Sequence, residues 1–397
     1  MKRIFAVLLL LFLLCGCAEE IKIDPITSTP ADVKPDFSGG MWLSYSDLDS
    51  FLADKDQFKT DFDLMLSNLK TLKTDTLYLH VRSHCDSIYE SKLYPLRDSV
   101  KDYDYDVLSY IIEECHKKNI KVFAWLNPYR VSTATENVKE LPEDSPAYIW
   151  CNDSHKENDD NVVYFNGIYL NPAKQQVRQL VIDGIKEILA NYDVDGIHFD
   201  DYFYPTDEEK FDKKTYENYC KETENPLSLQ EWRRASVDTL ICDCKTAIDT
   251  ARKDVVFSIS PAADIDKNYS EFFADIEGWV EKGYIDELIP QLYFGFEHTI
   301  EDFKFENLLK KWQKLSDKNP DVRLLIGLAA YKIGTVSETD GTEWKDNDDM
   351  LARQVKVCYE TAAVDGVVYF SYNSLFATKA QALKEVENLY EVLKSIG

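Results

Sequence analysis

Two adjacent carboxylates, Asp200 and Asp201, end an apolar run in the segment DGIHFDDYFYP at 195–205. Burying a charge is costly unless it is paired or put to use, so acids at that position call for chemistry or binding. One chemistry that needs two carboxyl groups is cleavage of a glycosidic bond. One group protonates the leaving oxygen, and the other stabilises or attacks the sugar cation. Val194, Ile197 and Phe199 read as a short buried strand. Side chains alternate along a strand, so His198, Asp200 and Tyr202 share one side. If Ile197 and Phe199 pack on helices, Asp200 points the other way, into a cavity. Asp201 follows where strand becomes loop, and both acids can reach one small volume.

Such a pair must be carried by a larger frame. Short β-rich apolar runs alternate with longer amphipathic stretches along the chain, a pattern that predicts a parallel sheet with crossover helices. Eight candidate strands are found, at 40–45, 76–82, 121–128, 196–202, 255–261, 287–294, 324–330 and 366–371. Helical patterns fall at 56–72, 106–118, 177–190, 229–252, 272–282, 303–316, 349–363 and 377–396. Eight such units predict an α/β fold of the (β/α)8 TIM barrel type, with enlarged loops after strands 3 and 4. The alternative is a doubly wound sheet, which binds nucleotide at a glycine-rich first turn; no G-x-G-x-x-G or G-x-x-x-x-G-K-[ST] follows any of these strands. The long connections, Tyr129–Pro172 and Pro205–Leu229, leave the carboxyl ends of strands, where a barrel keeps its substrate.

The residues at those carboxyl ends make a consistent set. The second strand offers His80 and Arg82, the third Trp125, Asn127, Tyr129 and Arg130, and the fourth His198, Asp200, Asp201 and Tyr202. Ser258, Ser260 and Asp264 follow from the fifth, Gln291, Tyr293 and Glu297 from the sixth, Tyr331 from the seventh and Tyr369 from the eighth. Rings, amides and a few charges suit sugars, which present C–H faces for stacking and many hydroxyls for hydrogen bonds. Arg82 and Arg130 are open to either reading, structural pairing with the aspartates or contact with substrate. His198 and Asp200 read as a hydrogen-bonding pair rather than as metal ligands, no H-E-x-x-H or G-x-S-x-G occurs, and no metal or cofactor is called for.

The chain's 397 residues carry 71 acidic against 45 basic side chains, a formal charge of −26. Phosphate-rich partners are repelled by that charge, which argues against nucleic acid. Lys2 and Arg3 precede the apolar run 4–14, too short to span a bilayer and shaped like a signal peptide covering 1–16. The run closes on Leu-Cys-Gly-Cys at 14–17, which resembles a bacterial lipobox with Cys17 as the lipid-bearing residue. Residues 17–37 then read as a tether, and 38–397 as the barrel domain, held at a bacterial membrane outside the cytoplasm. Seven scattered cysteines beyond Cys17 do not form a disulfide framework, and Cys242 and Cys244, two apart in a helical pattern, point in different directions.

GMWLS at 40–44, LHVRS at 79–83, AWLNPYR at 124–130, YLNP at 169–172, the 195–205 segment, ISP at 259–261, PQLY at 290–293 and GLAAYKIG at 327–334 together resemble the glycosyl hydrolase-like 10 family. The resemblance covers nearly all of the chain past the tether. It implies a (β/α)8 barrel in an envelope-associated bacterial protein, with glycoside hydrolysis as the activity and glycan as the partner. Some members act on peptidoglycan glycan strands stripped of peptide, so an N-acetylated cell-wall glycan is the expected substrate class. Two mechanisms fit the residues. In the first, Asp200 orients the substrate's own acetamide as nucleophile while Asp201 is the proton donor. In the second, Asp200 attacks directly and the acid comes from another strand end, Glu297 or Asp264, with the two carboxyl groups about 5–5.5 Å apart. Arg82, Trp125, Asn127, Tyr129, Arg130, His198, Tyr202, Gln291, Tyr293 and Tyr331 are the expected substrate-binding set. The functional alternative is a lipid-anchored glycan-binding protein without turnover.

Overall fold

A computed structural model describes residues 37–396. The expected signal segment, Cys17 and the expected tether up to residue 36 lie outside the described residues. The strands, numbered in chain order, are β1 (Ser38–Leu43), β2 (Thr76–Arg82), β3 (Lys121–Leu126), β4 (Arg130–Ser132), β5 (Val162–Tyr164), β6 (Ile168–Leu170), β7 (Gly196–Phe199), β8 (Val256–Ile259), β9 (Glu287–Leu288), β10 (Arg323–Ala329) and β11 (Gly366–Phe370). Eight of them close a barrel in the order β1-β2-β3-β7-β8-β9-β10-β11, every pairing parallel. This is the expected (β/α)8 barrel.

The helices form where the apolar period is helical. In Phe58–Thr71 the buried residues Phe58, Phe62, Met65, Leu66 and Leu69 recur at three- and four-residue spacing and give one face to the barrel. Leu229–Ala251 starts at a capping box, Ser228 with Glu231, which satisfies two otherwise orphaned backbone donors. The pattern at 272–282 is shorter than expected, with the helix confined to Ile276–Glu281. Phe273 takes the left-handed conformation at φ 54°, which cannot continue a helix, and its ring packs on Tyr204. The run expected as a strand at 287–294 is regular only over two residues. Pro290 supplies no N–H to the ladder, although Ile289 and Gln291 still donate to Ile259 O and Pro261 O.

The loop after β3 is a small structure of its own. β4, β6 and β5 pair antiparallel in that order, and the helix Pro146–Asn152 lies between β4 and β5. The loop after β7 carries the helix Lys213–Glu222 and is pinned from behind by Arg233. That guanidinium is fully buried, pairs with Asp212 at 2.6 Å and donates to the carbonyls of Asp207 and Glu208.

Inside the barrel, Trp42, Tyr78, Phe123, Trp125, Ile289, Leu325 and Val368 form a buried cluster separate from the larger core between strands and helices. Gly327 makes room there, since a Cβ at that position would stand 2.9 Å from the Trp42 ring. The amino end is plugged by polar groups. Tyr78 Oη donates to Glu287 at 2.6 Å, Arg323 pairs with the same carboxylate at 3.1 Å, and Arg323 also donates to Ser38 Oγ.

Candidate active site

β7 alternates as its sequence requires. Ile197 and Phe199 are fully buried against the outer core, with Phe199 edge-on to Phe257, while His198 and Asp200 face the interior. Phe203 and Tyr204 then turn outward and anchor the following loop, Phe203 on Trp279 and Tyr204 beside Arg233 and Phe273. Just before these anchors Tyr202 is left 53% exposed at the rim.

A cavity of about 440 Å³ opens at the carboxyl end of the barrel. Of the expected site residues it brings together Asp200, Asp201, Trp125, Arg130, Tyr202, Gln291, Tyr293 and Tyr331. Asp200 is buried and well supplied with donors. Its Oδ2 accepts from Trp125 Nε1 at 3.1 Å, and its Oδ1 from Asn127 Nδ2 at 3.1 Å and from the Tyr202 backbone N–H at 3.3 Å. Burial is the largest influence and leaves its carboxyl above the usual range, while nearby Arg130 and these donors hold that rise down. Asn127 stands behind Asp200 and is itself held, its Oδ1 accepting from the backbone N–H groups of Tyr129 and Arg130. Arg130 donates to Ser83 O and lies 5.0 Å from the centre of the Tyr202 ring.

Asp201 is held differently. Burial, and then the charge of Asp200, push its carboxyl up to about 7, with a hydrogen bond to Gln291 acting the other way. Gln291 also donates to Ser260 O, fixing its amide at the cavity wall. Thus the neighbour with more donors and a nearby guanidinium is better suited to stay charged, and the other to hold a proton near neutral pH.

Four expected residues stand elsewhere. Alternation alone turns Arg82 inward, but the β2–β3 register shifts between His80 and Arg82, placing Arg82 beside the outward-facing Leu126. Its guanidinium lies 4.2 Å from the Tyr94 ring, against the helix Gln175–Asn191, and a Cβ on Gly184 would overlap it. Tyr129 is buried towards Cys244 and Arg178, on the helix side of the barrel. Asp264 caps the helix Ile265–Ser270 by accepting from the Lys267 N–H. Glu297 is exposed on the loop after β9, where its own backbone N–H donates to Glu343. Neither of the last two lines the cavity.

His198 sits one layer below. Its Nε2 accepts from Trp42 Nε1 at 3.1 Å, so Nδ1 carries the proton and faces Ser258 Oγ at 2.5 Å. Burial lowers its pKa to about 3, which leaves it neutral with both nitrogens engaged. Cys242 and Cys244 are free thiols.

Several lining residues escaped the sequence reading. Trp42 comes from β1, Ser44 caps the helix Tyr45–Leu52 that follows it, Tyr45 and Ser46 open that helix, and Phe370 ends β11. The same two-residue alternation in Gly40-Met-Trp-Leu-Ser puts Trp42 and Ser44 inward, so the signal was present. His80 also lines the cavity, stacked on Trp125 at 3.8 Å and kept neutral by burial and by Arg130 and Arg97.

A closed (β/α)8 barrel with paired acids, amides and aromatic rings at its carboxyl end defines a glycosidase-like barrel protein. The chain belongs to the glycosyl hydrolase-like 10 family, whose model matches residues 39–346. It is 31% identical over 342 residues to the glycosyl hydrolase YngK of Bacillus subtilis, covering 80% of this chain and 64% of that protein. It is 28% identical over 347 residues to the glycosyl hydrolase DigH of Escherichia coli K12, covering 80% and 76%. Among solved structures, the PgaB (BpsB) glycoside hydrolase domain of Bordetella bronchiseptica superposes with a TM-score of 0.60, over 88% of this chain and 97% of that one. At 13% identity the latter likeness is one of fold.

Proposed function

We propose that the protein is a glycoside hydrolase in which Asp201 protonates the leaving oxygen and Asp200, kept charged, steadies the developing positive charge. The observation that carries this reading is that Asp200 and Asp201 are the only carboxylates lining the cavity among the described residues. With Glu297 and Asp264 outside it, the scheme that draws its acid from another strand end lacks a partner. Adjacent carboxylates leave the nucleophile to be supplied by the substrate, and an acetamido group at the 2-position of the sugar can supply it. The proposed substrate is therefore a glycan of N-acetylated sugars, of the kind found in bacterial cell walls. Lipidation at Cys17 is proposed to hold the domain at the envelope, near such polymers.

Chitohexaose and peptide-free peptidoglycan strands test the reading, with wild type, Asp200→Asn and Asp201→Asn compared. Both variants are expected to lose about 10²–10⁴-fold in kcat, the range for a lost acid or base. Asp201→Asn regains much of its rate on an aryl glycoside whose leaving group needs no proton, and Asp200→Asn does not. Near-normal turnover by Asp200→Asn sinks the scheme. Binding without product in every variant, wild type included, favours a glycan-binding protein instead.

A further inference from the structure

We infer that a second groove beside the cavity holds the continuation of the same glycan, so that the protein grips a polymer across several sugar units. This rests on the glycosidase reading above and extends it to substrate length. The groove, of about 360 Å³, lies between the segment after β2 and the loop that carries β4, and it meets the cavity at Tyr45, which lines both. Tyr45 is 36% exposed and stands edge-on between two histidine rings. On the cavity side is His80 at 5.7 Å, and on the groove side His84 at 5.0 Å. The Arg130 guanidinium lies 5.7 Å from the same ring and donates to the carbonyl of Ser83, a groove residue. A part-exposed ring at the junction of two hollows is a stacking platform of the kind that sugar C–H faces require.

The walls of the groove have the mixed character of a sugar site. Leu96 and Pro142 supply apolar surface, while His84, backed by the buried Ser83, supplies a group that bonds hydroxyls. His84 is neutral, its pKa lowered to about 4 by burial and by Arg130, and its Nδ1 is 2.9 Å from Ser83 Oγ. These polar groups are not loose. Arg97, nine-tenths buried, ties them together through Asp86 at 2.8 Å and Ser83 Oγ at 2.8 Å, and its Nη1 is ion-paired with Asp49 at 3.8 Å. A rigid polar wall loses little freedom when a ligand binds. Asp49, Asp86 and Asp98 outnumber Arg97, the one Lys or Arg among the groove residues. Such a wall disfavours densely charged polyanions, such as sulfated glycans, more than a glycan whose carboxylates fall on alternate sugars.

Calorimetry on the Asp201→Asn protein, which binds without cutting, tests this with chitobiose and chitohexaose. The hexamer is expected to bind at least tenfold more tightly than the dimer. Ala134→Trp in the same background fills the groove from an exposed position and is expected to abolish that increment, leaving dimer affinity unchanged. Its melting temperature checks that the fold is kept, and Thr133→Trp, also exposed on the groove, provides a second variant. Equal affinity for the two lengths, or an increment that both tryptophans leave in place, overturns the inference. Failure of the hydrolase reading looks different: wild type releases no product while the length-dependent binding persists. If neither oligosaccharide binds any variant, both readings fall.

Discussion

Asp201→Asn should make the protein more stable, and by an amount that depends on pH. In the folded protein burial and the Asp200 charge raise the Asp201 pKa from the usual 3.8 to about 7. The folded state therefore holds this proton more tightly than the unfolded chain does. Its stabilising effect is complete at pH values below the unfolded pKa and is lost as pH rises through the interval up to about 7. Linkage puts the loss at about 1 kcal/mol at pH 4.5 and about 4 kcal/mol at pH 8. An asparagine does not titrate and carries none of it. Urea unfolding followed by tryptophan fluorescence at both pH values reads the difference directly. The gain from Asp201→Asn should grow by about 3 kcal/mol between pH 4.5 and pH 8. A gain of the same size at both pH values would refute the reasoning, because it would place the effect in packing rather than in a held proton. The same variant is expected to lose activity, so stability and turnover should move in opposite directions at this position.

Other consequences are checked by simpler measurements. The kcat/KM of wild type should fall as pH rises through about 7, where Asp201 gives up its proton, and this alkaline limb should vanish on a substrate with an activated leaving group. Trp125→Phe removes one donor to Asp200 and should shift the acid limb to higher pH, with a loss of about 10–100-fold in kcat, the value of a hydrogen bond to a charged group. Glu297→Gln and Asp264→Asn should keep kcat within about threefold of wild type, and a loss near that of Asp200→Asn would restore the scheme with separated carboxylates. Gly184→Ala should cost about 1–3 kcal/mol by crowding the Arg82 guanidinium, seen as a lower melting temperature with kcat/KM unchanged.

The barrel was legible because its strands are short apolar runs of regular spacing, and all eight appear within a few residues of their expected places. The paired aspartates were legible for a related reason. The alternation in Gly-Ile-His-Phe-Asp is unbroken, and a two-residue period fixes direction wherever the ladder is regular. It failed at Arg82, where a register shift in the β2–β3 ladder reverses the parity, and a single strand's sequence carries no mark of its partner's register. It failed differently for Glu297 and Asp264. Both follow strands, but the direction of a loop side chain depends on contacts such as Glu343 to the 296–297 backbone, which join residues distant in sequence. The sheet β4-β6-β5 was missed because three-residue strands fall below the length at which alternation can be read.

The polar plug at the amino end of the barrel bears on traffic. With Tyr78, Glu287 and Arg323 closing one end, the two aspartates meet bulk water, among the described residues, at the mouth where the glycan is proposed to enter. In the proposed reaction the departing sugar and the incoming water must then use the same doorway in turn. An acceptor waiting in that doorway competes with water on equal terms, and at high oligosaccharide concentration chain transfer should appear beside hydrolysis.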